Sequence, residues 1–538
     1  MQFAVWTVLS VIAGVAVASA WVNHDAAWYL HAAAAWLDGA VLYQDVIDTN
    51  PPLIVALTSI PVQIGRLLDL SIPATFKTLV FIGALGVTVV GTSLVRQIHA
   101  QEESQVLVGS VLLFLLLPFV RADFGQREHL AVLFVIPYVL SSAAWFVGRP
   151  LGWKSDAALG GLAAVGFGLK PHFLLAWASL ELCVLGLQER PRVWSRPATI
   201  ALAVTLLAYA AVVVLAVPQY FQVLDEVVRV YGGLNEASET LWGLPEIRYW
   251  VAAALVVCLV RFPRCTWRAS LPIFAVATGF LIAALLQLKG WGYHLYPARV
   301  LIGLFLAMIA AGVLDSETMA PWLGRVGRRL VCAGLVVALG FASYRYIRET
   351  VSPAGIEHAR SLRALVEQES ADSLAVLSMR TIIYPAFPVV NYTDARWVMR
   401  HHSLWFLPGL YAAELGAATD EVPFRSPGQM DPLERQYFEQ VVVDLCASPP
   451  QMLVIEPPPR LRRGGFGSLD LLAYYRQDDR FDRLMSSYEP RETFGPFTAY
   501  VSRGAPSCYR SAVLRSYQPP SGSGSARPEA AGTYNPPR

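Results

Sequence analysis

The chain predicts a polytopic α-helical membrane protein of about eleven transmembrane helices, closed by a small C-terminal α/β domain. Three observations carry this expectation. Of 538 residues, 55% are hydrophobic and 15% charged, far more apolar than a soluble protein of this length. The apolar residues gather into segments close to the roughly 20 residues that a helix needs to cross a bilayer. After Tyr346 the composition turns to that of a soluble domain, dividing the chain into residues 1–346, 347–516 and a Pro/Gly/Ser-rich tail at 517–538 that reads as disordered. A net charge of +2 without a basic run argues against nucleic acid as a partner.

The candidate spans are 3–20, 76–95, 105–120, 129–148, 156–170, 172–187, 198–217, 248–261, 270–288, 293–314 and 329–346. The first ends in Ala18-Ser19-Ala20, which imitates a signal-peptidase site, but it lacks a positive n-region and reads as an uncleaved span. Residues 51–68 are also apolar, and counting them as a span would invert everything that follows. Charge decides against it. With 51–68 kept at the outer face as a re-entrant or juxtamembrane helix, the inner loops collect Arg96, Arg149, Lys154, Arg190, Arg192, Arg196, Arg261, Arg264, Arg268, Arg325, Arg328 and Arg329. This excess marks the cytoplasmic side, so eleven spans follow with the N-terminus inside and the C-terminal domain outside.

Between the first two spans lies Trp21–Pro52, with four carboxylates (Asp25, Asp38, Asp45, Asp48) and no Lys or Arg. Asp25 falls at the end of a span, where a carboxylate is partly desolvated and its position is set by the helix. Trp28, Tyr29, Ala32, Ala33, Trp36 and Leu37 follow at helical spacing, as in an amphipathic helix lying on the membrane surface and ended by Gly39. Three further polar clusters fall on the same outer face. They are Arg121-Ala-Asp123-Phe-Gly-Gln126-Arg127-Glu128-His129, then Lys170-Pro171-His172, and Lys289-Gly-Trp-Gly-Tyr293-His294-Leu-Tyr296-Pro297 with Arg299 one turn on. Each alone can be a helix-end ion pair or a snorkelling anchor; their convergence on one face points to a site. The outer loop at 218–247, with Asp225, Glu226, Glu236, Glu239 and Glu246, reads equally as a lid or as a plain connection.

The pair His24-Asp25, the Asp38-Gly39 turn, Leu42-Tyr43-x-Asp45 and Asp48-x-Asn50-Pro51-Pro52-Leu53 resemble the first extracytoplasmic loop of the GT-C class of membrane glycosyltransferases. The likeness is to bacterial relatives of dolichyl-phosphate-mannose protein mannosyltransferases and to lipid A aminoarabinose transferases. Members also carry an acidic residue in the second outer loop and a Tyr-His-Pro-like segment at a late span, which Asp123 and Tyr293–Pro297 resemble; some carry Lys where this chain has Asn50. The resemblance covers about residues 1–345. It implies a GT-C fold, Asp25 as the catalytic carboxylate, and transfer of a hexosyl or pentosyl group from a polyprenyl-phosphate donor to a lipid, glycan or protein acceptor of the cell envelope.

That chemistry needs a base for the acceptor hydroxyl and cations for the leaving phosphate. Asp25 is the expected base. Arg127, Lys170, Lys289 and Arg299 are the pool of phosphate ligands, since Arg grips phosphate with parallel hydrogen bonds and Lys supplies a point charge. Asp123 can orient the acceptor, hold a divalent cation, or pair with Arg121 or Arg127. His24, Asp45, Asp48, Asn50, Glu128, His172, Tyr293 and His294 complete the expected substrate-binding set. His24, His129, His172 and His294 show no zinc-ligand spacing, and no other cofactor is indicated. A transporter or flippase of lipid-linked sugars is the rival reading, but such proteins tend to place polar residues on broken helices at mid-membrane rather than at span ends. A partner-binding scaffold would need neither Asp25 nor the cations.

In the soluble part, residues 373–378, 451–456 and 498–502 read as strands, and 434–446 and 469–476 as helices. Cys446 and Cys508 are the only two cysteines there and are expected to form a disulfide in an oxidising compartment. The topology is checked by reporter fusions: one after Gln101 is expected to report the cytoplasm and one after Ser352 the periplasm. Both on the same side would overturn the eleven-span arrangement.

Overall fold

The computed structural model describes residues 2–187, 196–235, 241–259, 264–316, 324–353, 355–380, 382–417, 422–456, 469–504 and 506–508. Arg190, Arg192, Glu236, Glu239, Arg261 and the expected tail at 517–538 lie outside the described residues. The chain forms two compact units: Met1–Ala26, Asn50–Val217 and Asn235–Pro353 make one, and Ala27–Thr49, Pro218–Leu234 and Ala354–Arg538 the other. The second unit is therefore more than the C-terminal stretch, because it takes in two segments from between the apolar helices.

The first unit contains α1 (Gln2–Ser19), the opening residues of α2 (His24–Leu37), α3 (Leu53–Leu68), α4 (Ile72–Ile98), α5 (Glu102–Leu116), α6 (Arg127–Phe146), α7 (Trp153–Gly168), α8 (Leu174–Leu187) and α9 (Pro197–Ala216). It continues, beyond α10 (Gln219–Gly232) of the second unit, with α11 (Pro245–Leu259), α12 (Arg264–Leu286), α13 (Tyr296–Asp315) and α14 (Arg325–Val351). Among the described residues six helices are long and apolar enough to cross a membrane: Ile72–Ile98, Arg127–Phe146, Pro197–Ala216, Cys265–Leu286, Gly292–Asp315 and Val326–Val351, with a seventh if α1 and α2 count as one broken span. A total of eleven also needs α5, α7, α8 and α11, whose 15, 16, 14 and 15 residues are short for a full crossing. The apolar stretch at 51–68 forms the 16-residue α3, which turns back into α4 through Asp69 in the left-handed conformation.

Helices of this unit approach closely where small residues meet. A methyl group on Gly160 of α7 would lie 2.0 Å from the Ala198 carbonyl oxygen of α9, and one on Gly279 of α12 would lie 2.4 Å from Cα of Ala176 in α8. Buried polar groups are tied to one another. One Glu181 oxygen accepts from Tyr138, Trp177 and Thr199 at 2.7, 3.1 and 3.1 Å, joining α6, α8 and α9.

In the second unit a five-stranded sheet has the order β2 (Arg396–Trp397), β1 (Ser373–Leu377), β3 (Met452–Ile455), β5 (Phe497–Ser502), β4 (Tyr488–Phe494). β1 runs parallel to β2 and β3, and β5 antiparallel to β3 and β4. β1 and β3 are buried along their whole length, as the apolar runs Leu374–Leu377 and Met452–Ile455 require, whereas β4 is an edge strand with four exposed central residues and a register shift after Pro490. Polar composition hid β4 from the periodicity reading, and β2 is too short to give one.

The later residues of α2 pack inside this unit rather than on a membrane surface. Trp28, Tyr29, Ala32 and Ala33 are all buried, with Phe387 and His402 each 5.3 Å from the Trp28 ring; only Trp36 and Leu37 of the expected apolar set stay exposed. Protein, not lipid, covers this face. The helix ends before Gly39, whose φ of +101° suits the turn. α10 belongs here too, with Glu226 accepting from Tyr437 and Gln436 of the helix Pro432–Ala447 at 2.9 Å each, so this part of the 218–247 segment, read equally as a lid or a plain connection, is a docked helix.

Cys446 and Cys508 are joined by a disulfide, their Cα atoms 5.5 Å apart. The fully buried Glu434 accepts from Tyr411 at 2.5 Å, from Tyr474 at 3.1 Å and from the Arg425 guanidinium at 2.8 Å. Removing the cation would strand a buried carboxylate. Arg425→Ala is expected to cost about 3–5 kcal/mol of stability in chemical unfolding of the detergent-purified protein, against less than about 1 kcal/mol for Arg363→Ala, whose ion pair is exposed.

Candidate functional site

The site is built in the first unit, where α1 ends and α2 begins. Asn23 caps the new helix, its side-chain oxygen accepting from the Asp25 backbone N–H at 2.9 Å, while its amide donates to the Ala122 carbonyl at 2.8 Å. Gln126, at the start of α6, donates to Asp25 Oδ2 at 3.0 Å and to Asn23 Oδ1 at 3.1 Å. His24 Nδ1 lies 3.0 Å from Asp25 Oδ1. Asp25 is thus oriented from two sides yet keeps 19% of its side chain exposed, which leaves a reacting hydroxyl room to reach it.

Asp123 lies in the short helical turn Arg121–Asp123 ahead of α6. Its carboxyl is pushed up to about 7 by burial first and then by Glu128 and Asp25, with His24 and Arg299 pulling the other way. Arg121, by contrast, turns from the site to pair with Glu349 at 2.8 Å and to stack over Tyr346. His129 is buried structural polarity, bonded to the Leu116 carbonyl and to the Gly125 N–H.

The cations form the other lobe. Lys170 donates to Glu128 Oε1 at 2.5 Å and to Gln287 Oε1 at 3.4 Å, and stands 5.6 Å from the centre of the Tyr293 ring. Burial first, then Arg127, pushes its ammonium down to about 8, against the opposing pull of Glu128. Lys289 donates to Asn235 at 2.7 Å, and burial brings it down to about 8 as well. Arg299 is held by Glu246, with Nε at 2.9 Å and Nη2 at 2.6 Å from the same oxygen. Arg127, Lys170, His172 and Lys289 all act electrostatically on His294, which places the second, third and fourth polar clusters of the sequence around one region. The structure joins this lobe to the first through the start of α6, where Gln126 bonds Asp25 and Glu128, two residues on, bonds Lys170.

Of the expected residues, His24, Asp25, Asn50, Asp123, Arg127, Glu128, Lys170, His172, Lys289, Tyr293, His294 and Arg299 belong to this unit. Asp45 and Asp48 belong to the second, where Asp45 accepts from the Val41 N–H at 2.8 Å and the buried Asp48 accepts from Trp28 Nε1 at 3.0 Å. Among the described residues no group of three or more His, Cys, Asp or Glu is arranged to hold a metal ion. Asn23, Gln126, Asn235 and Gln287 are contributors that sequence reasoning missed as site residues, and Glu246 was named only as part of the 218–247 loop. Neutral amides carry no hydropathy or charge signal, and only the position of Gln126 between Asp123 and Arg127 could have drawn attention to it.

An apolar cavity of about 480 Å³ runs between α3, α4, α6 and α7, lined by Leu57, Pro61, Phe76, Val80, Leu133 and Pro137 among others. Phe76 also packs against Gly125, so one end of the cavity borders the turn that carries Asp123 and Gln126.

No family model matches the chain, and no curated protein matches it in sequence. Among solved structures, ArnT from Cupriavidus metallidurans bound to undecaprenyl phosphate aligns over 94% of this chain and 98% of its own, at 12% identity and a TM-score of 0.55. The mycobacterial arabinofuranosyltransferase AftD aligns over 92% of this chain but 41% of its own, at 14% identity and a TM-score of 0.41, too low to carry an argument. The resemblance drawn from the sequence is borne out at the level of the fold: the chain has the fold of the GT-C membrane glycosyltransferases.

Proposed function

We propose that the protein is an inverting glycosyltransferase that moves a sugar from a polyprenyl-phosphate donor to a cell-envelope acceptor at the periplasmic face of the inner membrane. The observation that carries this reading is the meeting, in one helical unit, of a carboxylate oriented by Gln126 and His24 with the cations Arg127, Lys170, Lys289 and Arg299. ArnT, which shares the fold, was solved with undecaprenyl phosphate, which supports a lipid-phosphate donor here. The groove that starts beside Gly125 offers apolar walls for the prenyl chain.

In the step proposed, the acceptor hydroxyl attacks the anomeric carbon from the face opposite the phosphate. The new C–O bond forms as the bond to the phosphate oxygen breaks. Polyprenyl phosphate leaves with the electron pair, and the hydroxyl proton passes to Asp25. The cations stabilise the charge that builds on the leaving oxygen, in a site where low dielectric strengthens them. Asp123 orients the acceptor when ionised. Asn50 is assigned to the wall of the substrate site, and the eleven-span topology, with N-terminus cytoplasmic and the C-terminal domain periplasmic, completes the proposal. The site holds its ionisable residues at helix ends, which favours transfer over the rival flippase reading.

Mass spectrometry of envelope glycolipids and polysaccharides from cells with and without the protein should show one sugar-modified species lost in its absence. Asp25→Asn should express normally and reduce transfer at least ~10²-fold; near wild-type turnover would remove Asp25 from the role of base. Lys289→Ala should raise the donor KM as well as lower kcat, and so be partly rescued by added donor.

The pH dependence of kcat/KM has two expected limbs. Asp123 is neutral below about 7 and charged above it, so activity should rise through that pH, and Asp123→Asn should flatten this limb. Lys170 and Lys289 are charged below about 8 and lose their protons above it, so the donor KM should climb on the alkaline side. A profile flat from pH 6 to 9 would contradict both assignments.

A further inference from the structure

The carboxylate proposed as base sits immediately after a break in the chain between α1 and α2, and its position depends on how that break is held. The last turn of a helix leaves carbonyls without intrahelical partners and carries a partial negative charge. At the end of α1 two such carbonyls are taken by one side chain from elsewhere: Lys77 Nζ, in the second turn of α4, donates to the Ala18 oxygen at 2.9 Å and to the Ala20 oxygen at 2.7 Å. Three residues separate Ala20 from His24, and Asn23, which caps α2 and bonds Gln126, is one of them. The ammonium therefore anchors the fixed end of the short segment that carries Asn23, His24 and Asp25.

The residue before it anchors the facing segment. Phe76 lies where a Cβ on Gly125 would come within 2.5 Å of the ring, and Gly125 itself has a φ of +81°, so the turn into Gln126 is seated on this ring. Adjacent residues of one helix thus hold both halves of the Asp25–Gln126 hydrogen bond, one through α1 and the other through the turn before α6. An apolar residue at 77 would remove the donor that Lys77 supplies to the Ala18 and Ala20 carbonyls.

We infer that Lys77 is a positioning residue for the transfer reaction: by capping α1 it sets the register of Asn23 and Asp25 against Gln126. This rests on the glycosyltransferase reading for its consequence in rate, but not for the pinning itself. Misplacing a base by a fraction of its hydrogen-bonding distance lowers kcat with little effect on donor binding, whereas a Lys that gripped the donor phosphate would act on KM.

The test compares Lys77→Met, which keeps length and removes the donor, with Lys77→Arg, which keeps charge and donors. Full-length protein in lipid nanodiscs is assayed with the polyprenyl-phosphate glycolipid fraction extracted from cells lacking the protein. Hydrogen exchange is followed at the amides of residues 20–26. Expected for Lys77→Met are a fall in kcat of about tenfold or more with the donor KM unchanged, and faster exchange at Ala20 and Asp25. Lys77→Arg should restore most of both. Unchanged kcat with unchanged exchange overturns the inference, and a raised KM at wild-type kcat overturns it in favour of a donor ligand. If Lys77→Met does not fold, Lys77→Arg decides: wild-type kcat and exchange support the cap, and slow turnover with wild-type exchange overturns it. Wild-type protein inactive on the donor fraction would count against the glycosyltransferase reading alone, since the exchange arm still decides the pinning.

Discussion

The site depends on the buried ion pair between Lys170 and Glu128. Both side chains are almost wholly withdrawn from solvent, and at 2.5 Å the contact ties the turn between α7 and α8 to the start of α6, with Gln287 extending it to the end of α12. Taking two charges out of water is costly, and a pair of well-packed apolar residues could hold the helices as well. What apolar residues could not supply is a cation held where burial and Arg127 lower its proton affinity, so that its charge is available to a ligand and sensitive to pH near 8. The pair is better understood as a charge kept in reserve than as a structural rivet.

Opposite it stands a carboxylate lobe with the reverse problem. Burial first, and then the charges of Glu128 and Asp25, raise the proton affinity of Asp123. Nearby titratable groups pushed in opposite directions are what acid–base and leaving-group chemistry at neutral pH require. Hydrogen bonds from neutral amides, chiefly Gln126 and Asn23, hold this lobe without adding charge. That choice matters. A Lys in place of Gln126 would neutralise Asp25 and blunt it as a base.

The sheet-bearing unit draws in α10 and the loop after α2, so chain segments that emerge between apolar helices are built into its core. Tyr231 packs on Trp405, Glu226 accepts from Tyr437, and Trp28 lies against Phe387. Neither α10 nor the later part of α2 has enough apolar surface partners of its own to persist alone.

Hydropathy by itself determined the membrane character, most of the apolar helices and the buried strands β1 and β3, because each is written in a local run of side chains. The same local reading located Asp25, Asp123, Arg127, Lys170, Lys289 and Arg299, since a charge next to an apolar run stands out wherever it occurs. Tertiary structure alone decided what those charges do. Gln126 meets Asp25 across 101 residues, Lys170 meets Gln287 across 117, and Lys77 meets Ala20 across 57. It also turned the expected surface helix into a buried one and separated Arg121 from the site it borders in sequence. The physical reason is that hydrophobic burial adds up residue by residue along the chain. A hydrogen bond or an ion pair exists only once the particular partner has been brought within about 3 Å.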